Sequence, residues 1–513
     1  MQRTTLLTLL ALLTLSLHAA KPYKPWQNGK LTVSSNHRYL VHENGTPFFW
    51  LGNTAWLMPE RLNRDEVEYY LNIEREQGYN VEQVQVLNAI PTFNVYGQPA
   101  NDASFDFDRF NSPTPPLGSA ASSSDSESEE LLNSSTPQLL NSYTYWDHLD
   151  YIVDMAAANG IYIAMDCIWG SQIDKMTPEK ATKYGRFLGE RYKDKPNIVW
   201  MIGGDIMGDK GMASWDALAR AIRKADPNHL MTFHPRGRTT SAWWYNDREW
   251  LDFNMFQSGH RRYGQRNGDG DYTIHDNTEE DNWRYVGMSW GVKEEQIEGR
   301  EVKGPQKPVI DGEPSYEDIP HGLHDFSQPR WQDYDMRRYA YWAVLAGCFG
   351  HTYGHNSIMQ FMRPGVLASF GAEKAWWDAL RDPGYQQMKY LKWLMLALPF
   401  TEGQADQSVI SSQNGDRYDR IIALRGKDFL LVYNYSGRPM QVDLTKIAGK
   451  KKNVWLMNPA DGSLQFLGEY DNAKADFSFD GAYLRQSDRV LIATDAAKSY
   501  FDKTQTKLTP RNN

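Results

Sequence analysis

The sequence predicts an α/β protein, a (β/α)8 TIM barrel followed by a small C-terminal all-β sandwich domain. Two observations predict it. Between residues 47 and 398, eight short apolar runs alternate with amphipathic stretches that carry helix start and stop signals. Beyond residue 399, short apolar runs are separated by Gly, Asp, Asn and Pro, with no helical period. Strand and helix repeats in this number favour a barrel, and a doubly wound sheet is the structural alternative.

The first element, residues 1–20, is predicted to be a secretory signal peptide. It reads MQRTTLLTLLALLTLSLHAA, one arginine before a leucine-rich run and a pair of small residues. Neither Ala19 nor Ala20 has a small residue three positions before it, so an uncleaved anchor stays open. Since no later segment reaches ~18 consecutive apolar residues, no membrane span is expected in the mature chain. A periplasmic or secreted location follows.

The barrel domain is predicted over residues 21–398. Asn63 and Glu66 form a capping-box pattern ahead of a helix that stops at Gly78. Thr177 followed by Pro178 begins another helix. The strand candidates, in chain order, are PFFWLG, NVEQVQVL, IYIAMDCI, NIVWMIGG, LMTFH, LDFNMF, KPVIDG and CFGHTYG.

Two segments interrupt the barrel repeat. Residues 111–141 hold nine serines and four prolines around SSSDSESEE. Such a composition cannot bury enough apolar area to offset its ordering entropy, so a disordered insert is expected there. Residues 261–306 form a long polar segment after the sixth strand, where barrel loops build the rim of an active site.

The β-sandwich domain is predicted over residues 399–500, and residues 501–513 are expected to be a frayed tail. The junction helix YLKWLMLALPF is apolar enough for the sandwich to pack against the barrel. The two cysteines, Cys167 and Cys348, fall on strands 3 and 8, which are not neighbours in a barrel. Two free buried thiols are therefore expected.

Composition narrows the class of ligand. The chain has 55 Lys and Arg against 64 Asp and Glu, a net charge of −9, which argues against nucleic acid as a partner. Aromatic residues make up 13% of the chain. Flat rings with polar tips suit sugar faces, and additional core packing is the plainer explanation.

Two carboxylates have the strongest case for catalysis, because the working groups of a barrel lie at the carboxyl ends of its strands. Asp205 follows the apolar strand NIVWMIGG, and Glu313 follows KPVIDG. Strands 4 and 7 lie on opposite sides of an eight-stranded ring, so the two carboxyl groups could flank one glycosidic bond. The structural alternative is that the Asp205 carboxylate only caps the following turn or forms an ion pair with Arg236.

Other strand ends supply candidate substrate-binding side chains, for which packing is the alternative. They are Asn53, Trp56, Gln85, Asp166, Trp169, His234, Arg236, Gln257, His260 and Tyr353. No metal site or cofactor is predicted. His351 and His355 leave a strand for a loop without helical ligand spacing, and Asp269 and Asp271 do not sit in a complete calcium loop.

Four motifs resemble those of the apiosidase-like glycoside hydrolases: WLGNTAW, NIVWMIGGD, FQSGH and IDGEPSYE. The resemblance extends over residues 27–500. It implies a barrel followed by a β domain labelled as collagen-binding, a strand 4 Asp as acid/base (Asp205), a strand 7 Glu as nucleophile (Glu313), and release of apiose-containing units from a branched pectin. The Ser-rich insert departs from this pattern, so the size of the substrate could differ.

The resulting hypothesis is an exported retaining glycoside hydrolase acting on a pectic oligo- or polysaccharide. A non-catalytic glycan-binding protein on a barrel scaffold is the alternative, although two intact carboxylates disfavour it. Host adhesion through the β domain, as its collagen-binding label implies, is a third possibility for which its sequence offers no site.

Overall fold

The computed structural model describes residues 22–101, 105, 107, 143–265, 278–296, 300–479 and 487–511. The predicted signal peptide and the Ser-rich insert at 111–141 lie outside the described residues. The described chain forms an α/β unit with parallel strands, followed by an antiparallel β domain.

An N-terminal sheet and the parallel strands come first in the chain. All eight predicted runs contain a strand. The strands are β1 (Leu31–Val33), β2 (Leu40–His42), β3 (Pro47–Phe48), β4 (Trp50–Thr54), β5 (Val81–Gln85), β6 (Tyr162–Asp166), β7 (Ile198–Ile206), β8 (Met231–Pro235), β9 (Thr239–Thr240), β10 (Asn254–Gln257), β11 (Val309–Asp311) and β12 (Gly350–Tyr353).

The parallel strands pair in two groups. Six of them form a sheet in the order β12-β4-β5-β6-β7-β8, and β11 pairs with β10 in parallel beside the short antiparallel β9. Single backbone hydrogen bonds join the groups at both ends, from Asp252 N to Met231 O (2.9 Å) and from Phe349 N to Val309 O (3.1 Å). The carboxyl ends of the eight parallel strands therefore lie at the same end of the α/β unit.

Helices cover the outer face of the sheet, and their ends follow the sequence signals. The capping box of Asn63 and Glu66 is present, and Gly78 closes that helix in a left-handed conformation. Thr177 accepts a hydrogen bond from Lys180 N as the N-cap expected before Pro178. The helices are α1 (Met58–Arg61), α2 (Arg64–Gln77), α3 (Tyr145–Asn159), α4 (Pro178–Tyr192), α5 (Met212–Ala225), α6 (Ala242–Tyr245), α7 (Trp283–Ser289), α8 (Asp333–Ala346), α9 (Trp376–Ala379) and α10 (Pro383–Leu396).

The C-terminal domain consists of two antiparallel sheets, ordered β13-β14-β15-β20-β17-β18 and β16-β19. Its strands are β13 (Gln404–Ala405), β14 (Ile421–Arg425), β15 (Phe429–Asn434), β16 (Met440–Asp443), β17 (Lys451–Met457), β18 (Leu464–Asp471), β19 (Lys474–Phe477) and β20 (Arg489–Asp495).

The larger of these sheets is buried on both faces. Ile421 and Ala423 pack into a core shared with the smaller sheet. Their neighbours Ile422 and Leu424 point the other way, because side chains alternate along a strand, and join the main core of the α/β unit. Tyr433 stacks on Tyr341 of α8 with ring centroids 4.8 Å apart. The β domain therefore packs firmly against the α/β unit.

The segment predicted to be a frayed tail has two buried side chains, Phe501 and Leu508, and Phe501 contacts the ring of Trp455. Most of the other side chains between residues 502 and 511 are exposed. Leu508 N donates to Gly462 O (2.8 Å), so apolar side chains and backbone pairing together hold this segment. Cys167 and Cys348 are both buried and unpaired, as expected.

Candidate active site

A pocket of about 460 Å³ opens at the carboxyl ends of the parallel strands. It contains both candidate catalytic residues and most of the predicted substrate-binding ones. The predicted residues that line it are Trp56, Gln85, Trp169, Asp205, Arg236, Gln257, His260 and Glu313.

Asp205 reaches the pocket because the end of β7 is distorted. Gly203 and Gly204 have φ of 104° and 100°, and Asp205 itself is left-handed at 48°. A Cβ at Gly203 would lie 2.5 Å from the carbonyl oxygen of His234, and one at Gly204 would lie 2.5 Å from the Trp169 ring. Only glycine fits at both positions. The register of β7 on β8 shifts here, which turns Asp205 toward the cavity.

Glu313 lies two residues beyond β11, between two histidines. Nε2 of His260 is 3.0 Å from its Oε1, and Nε2 of His234 is 3.1 Å from its Oε2. Burial alone would raise the pKa of Glu313, but hydrogen bonds and charge from the two histidines outweigh it and lower the pKa to about 2. Glu313 is therefore an ionised carboxylate across the working range of most enzymes.

His234 connects the two carboxyl residues. Its Nδ1 accepts a hydrogen bond from the backbone N–H of Asp205 at 3.4 Å, which leaves the ring proton on Nε2, facing Glu313. The ring can then donate its Nε2 proton to the Glu313 carboxylate, whose Oε2 lies 3.1 Å away. The same ring thereby fixes the position of the Asp205 backbone.

Asp205 differs from Glu313 in its protonation. Its side chain is exposed to the cavity yet surrounded by protein, and desolvation followed by the negative charge of Glu313 raises its pKa to about 6. The nearby His234, Arg236 and His260 partly oppose this rise in pKa. At mildly acidic pH the site holds one protonated and one ionised carboxyl group, the pair that a glycosidase requires.

Two tryptophans form one wall of the pocket. The rings of Trp56 and Trp169 lie 5.5 Å apart at a tilt of 58°. Trp56 Nε1 donates to Tyr316 Oη at 3.2 Å. Trp56 is only 5% exposed, so it offers an edge to a ligand, and the half-buried Trp169 presents more of its ring.

Four of the predicted binding residues do not line the pocket. Asn53 and Tyr353 are adjacent in register and both face the helix layer. Asn53 donates to Tyr70 Oη and Glu74 Oε1 (both 3.0 Å), and Tyr353 Oη donates to Glu317 at 2.5 Å. Because side chains alternate along a strand, neither of these two reaches a ligand in the cavity.

The other two, His234 and Asp166, lie beneath the residues that line the pocket. His234 is fully buried behind Glu313. Asp166 faces inward but is fully buried against Gly204. Burial, with the charge of Glu313, raises the pKa of Asp166 well above its ordinary value.

Several lining residues were missed by the strand-end reasoning because they come from loops. Tyr316 follows Glu313 by three residues, and its ring lies 4.6 Å from that of His260. The position of Tyr316 in the IDGEPSYE motif was a usable signal. Arg238 and Arg261 join Arg236 on a basic wall, and burial with mutual repulsion lowers the pKa of Arg261 to about 10. Further loop residues at the rim are Asn88, His324, Gln360 and Phe370.

Within the described residues, no group of three or more His, Cys, Asp or Glu side chains is arranged to hold a metal ion. None of the described helices is long and apolar enough to cross a membrane.

Comparisons with known protein families match two successive parts of the chain. The family model described as "Apiosidase-like, catalytic domain" matches residues 34–402, and a model labelled as a collagen-binding domain of a collagenase matches residues 405–494. No curated protein matches the chain.

Two solved structures are similar over nearly the whole chain. One is titled as a glycoside hydrolase family 5 from Bacteroides vulgatus ATCC 8482; it is 58% identical, with 95% of this chain and 98% of that chain covered and a TM-score of 0.86. Another, titled "Glycoside hydrolase", is 57% identical, with 94% and 100% covered and a TM-score of 0.84.

Proposed function

The chain belongs to the apiosidase-like family and is a glycosidase, and we propose that it is a retaining glycoside hydrolase with Glu313 as nucleophile and Asp205 as acid/base. The observation that carries the proposal is that two carboxyl groups line one pocket, with two histidines against Glu313 and none of their ring nitrogens against the Asp205 carboxyl group, which shifts the two pKa values in opposite directions. The pKa of Glu313 is lowered to about 2 and that of Asp205 raised to about 6. A nucleophile must be ionised, and a general acid must hold its proton.

The reaction proceeds in two steps. Glu313 attacks the anomeric carbon while Asp205 gives its proton to the leaving oxygen, so that a glycosyl ester forms on Glu313 and the aglycone alcohol departs. Asp205, now ionised, takes a proton from water, which attacks the same carbon and releases the sugar and the Glu313 carboxylate. The imidazoles of His234 and His260 orient Glu313 throughout.

A pectic glycan is the proposed substrate, with apiose-containing units as products. The family supports the class of sugar, and the basic wall of Arg236, Arg238 and Arg261 supports it further, because guanidinium groups complement the carboxylates of uronic acids. Trp56, Trp169, Gln85 and Gln257 would contact sugar rings and hydroxyls in the same cavity.

The remaining proposals concern architecture and location. The hydrogen bonds at both ends of the two parallel groups support one closed eight-stranded barrel, with a catalytic domain at 21–398 and a β-sandwich at 399–500. The packing of the sandwich against α8 supports a buttressing role rather than collagen binding. A signal peptide at residues 1–20 and export to the periplasm or beyond complete the proposal.

A panel of pectic oligosaccharides tests the reaction, with the anomer of the first-formed product followed by NMR. Retained configuration is expected for the wild type. Glu313→Gln should lose about 10⁴- to 10⁶-fold in kcat, the scale seen when a hydrolase loses a catalytic group, and should still bind the oligosaccharide.

The matched control is Asp209→Asn, an exposed carboxylate four residues beyond Asp205 that lies outside the pocket; it should leave turnover unchanged. Binding without turnover in the wild type would establish the glycan-binding alternative. An inverted product would exclude Glu313 as a nucleophile.

A further inference from the structure

The β domain contacts a short segment that carries part of the active site. We call residues 260–264 the site strap: it begins with His260, which touches Glu313, and continues through Arg261 of the pocket wall. The strap is held at its far end by Glu280, whose Oε1 accepts from Tyr263 N at 2.8 Å.

Glu280 is itself held from the β domain. Tyr418, in the loop before β14, donates its hydroxyl to the same Oε1 at 2.8 Å. Its ring lies 5.2 Å from that of Tyr263 in an edge-to-face arrangement. Arg338 of α8 donates to Glu280 Oε2 at 2.6 Å, with both side chains fully buried. One carboxylate thus joins the strap, the α/β unit and the β domain.

Neighbouring residues of the same loop reinforce the contact. The Arg417 guanidinium lies over Tyr263, 5.3 Å from the ring centroid, and that of Arg420 lies 4.0 Å above Trp283 at the start of α7. Residues 417–420 therefore contact the site strap, Glu280 and the start of α7. A domain needed only for stability could have docked through α8 alone, where Tyr341 and Arg337 already meet it.

We propose that the β domain positions the active site, with Tyr418 as a positioning residue that acts through Glu280 and the site strap on His260 and hence on Glu313. The inference rests on the proposed function of Glu313. It gives the domain a part in catalysis that does not involve binding a glycan or collagen.

The expected consequence of loosening the strap is a weaker contact between His260 and Glu313. The other ionisable groups around Glu313 are His234, Tyr316, Asp205 and Asp166, and none of these is carried by the strap. Loss of the His260 contact should therefore raise the pKa of Glu313 toward its ordinary value.

Tyr418→Phe removes the hydroxyl and keeps the ring. The matched control is Tyr39→Phe, which removes another hydrogen bond between the domains, from Tyr39 Oη to Gly403 O at 2.9 Å, on a different part of their interface. Both variants should lose a similar, small amount of thermal stability. Only Tyr418→Phe should lose kcat, about tenfold with KM little changed, and its ratio of kcat/KM at pH 4 to that at pH 5.5 should fall at least about twofold.

Amide hydrogen exchange over residues 260–264 provides a readout that does not depend on turnover. Faster exchange in Tyr418→Phe than in Tyr39→Phe is expected, and equal exchange overturns the inference. Equal kinetic losses in the two variants with an unchanged pH ratio also overturn it. If the wild type hydrolyses no glycoside, the proposed function fails, and the exchange comparison alone decides whether Tyr418 holds the strap.

Discussion

Buried carboxylates meet basic side chains in two regions of this molecule, the pocket and the face between the domains, and the two regions use different basic groups. Between the domains, Arg337 holds Asp488 with two nearly parallel hydrogen bonds of 2.8 and 2.9 Å. In the pocket, Glu313 is held by the imidazoles of His234 and His260. A guanidinium is charged at every working pH, whereas an imidazole can be neutral.

The difference separates a group that holds the two domains together from a group that can exchange a proton. Both side chains of the interdomain pair are buried, and the hydrogen bond and charge of Asp488 raise the pKa of Arg337, so Arg337 keeps its proton. The pocket leaves the Asp205 side chain open to the cavity, and desolvation by the surrounding protein together with the negative charge of Glu313 raises its pKa. A carboxyl group left in this condition can exchange a proton with a substrate.

The largest effect is expected from replacing Asp205, the carboxyl group of the pocket whose pKa is raised. Asp205→Asn should lower kcat/KM by about 10²- to 10⁴-fold, the usual contribution of a general acid. The loss should be much smaller for an aryl glycoside whose leaving group needs no proton. Equal losses for alkyl and aryl glycosides would contradict the role of Asp205 as acid.

The same variant should change stability in a direction that depends on pH. The raised pKa of Asp205 means that folding favours its protonated form, so stability is lost as pH rises from the ordinary Asp range through about 6. Asp205→Asn cannot ionise, and its melting temperature should exceed that of the wild type at pH 8 but not at pH 4. Differential scanning calorimetry at the two pH values checks this.

Breaking the interdomain pair should give the opposite pattern, a loss of stability with little loss of activity. Arg337→Met leaves Asp488 buried with Tyr433 as its remaining side-chain donor, and a broken buried pair costs about 3–5 kcal/mol. Urea unfolding should show this loss, and Arg337→Met/Asp488→Leu should recover part of it.

The control for that experiment is Lys183→Met, which breaks an exposed pair with Glu179 and should leave the unfolding midpoint almost unchanged. A small effect of Arg337→Met, similar to that of Lys183→Met, would mean that the interdomain charges do not hold the domains together. Kinetics at 25 °C should remain close to those of the wild type.

The two regions also differ in how far the sequence could predict them. Apolar periodicity located the parallel strands, and the strand-end position of Asp205 in the motif GGD predicted that it faces the pocket, which it lines. The face of each strand was harder: Asn53 and Tyr353 stand at strand ends like Gln85, but the two-residue alternation turns them to the helix layer.

Contacts between distant segments could not be predicted at all. Tyr418 and Glu280 are 138 residues apart, and nothing local in either segment indicates the other. The basic wall combines the loops after β8 and β10, whose paths depend on tertiary packing. Sequence reasoning therefore found the two carboxyl groups of the pocket and the histidines beside Glu313, and missed the loop residues and the contacts between distant loops.

The smallest predicted effect is the shape of the pH profile, and it compares the two carboxyl groups of the pocket directly. Since Asp205 must be protonated, kcat/KM should fall about tenfold per pH unit above a pKa of about 6. Since Glu313 is ionised above about pH 2, the acidic side should stay flat down to the point where the protein unfolds. His260→Ala should move the acidic limb upward and leave the alkaline limb in place, because His260 contacts Glu313 directly and affects Asp205 only through its charge. An alkaline limb that persists in Asp205→Asn would assign it to another group and remove the basis for distinguishing the two carboxyl groups.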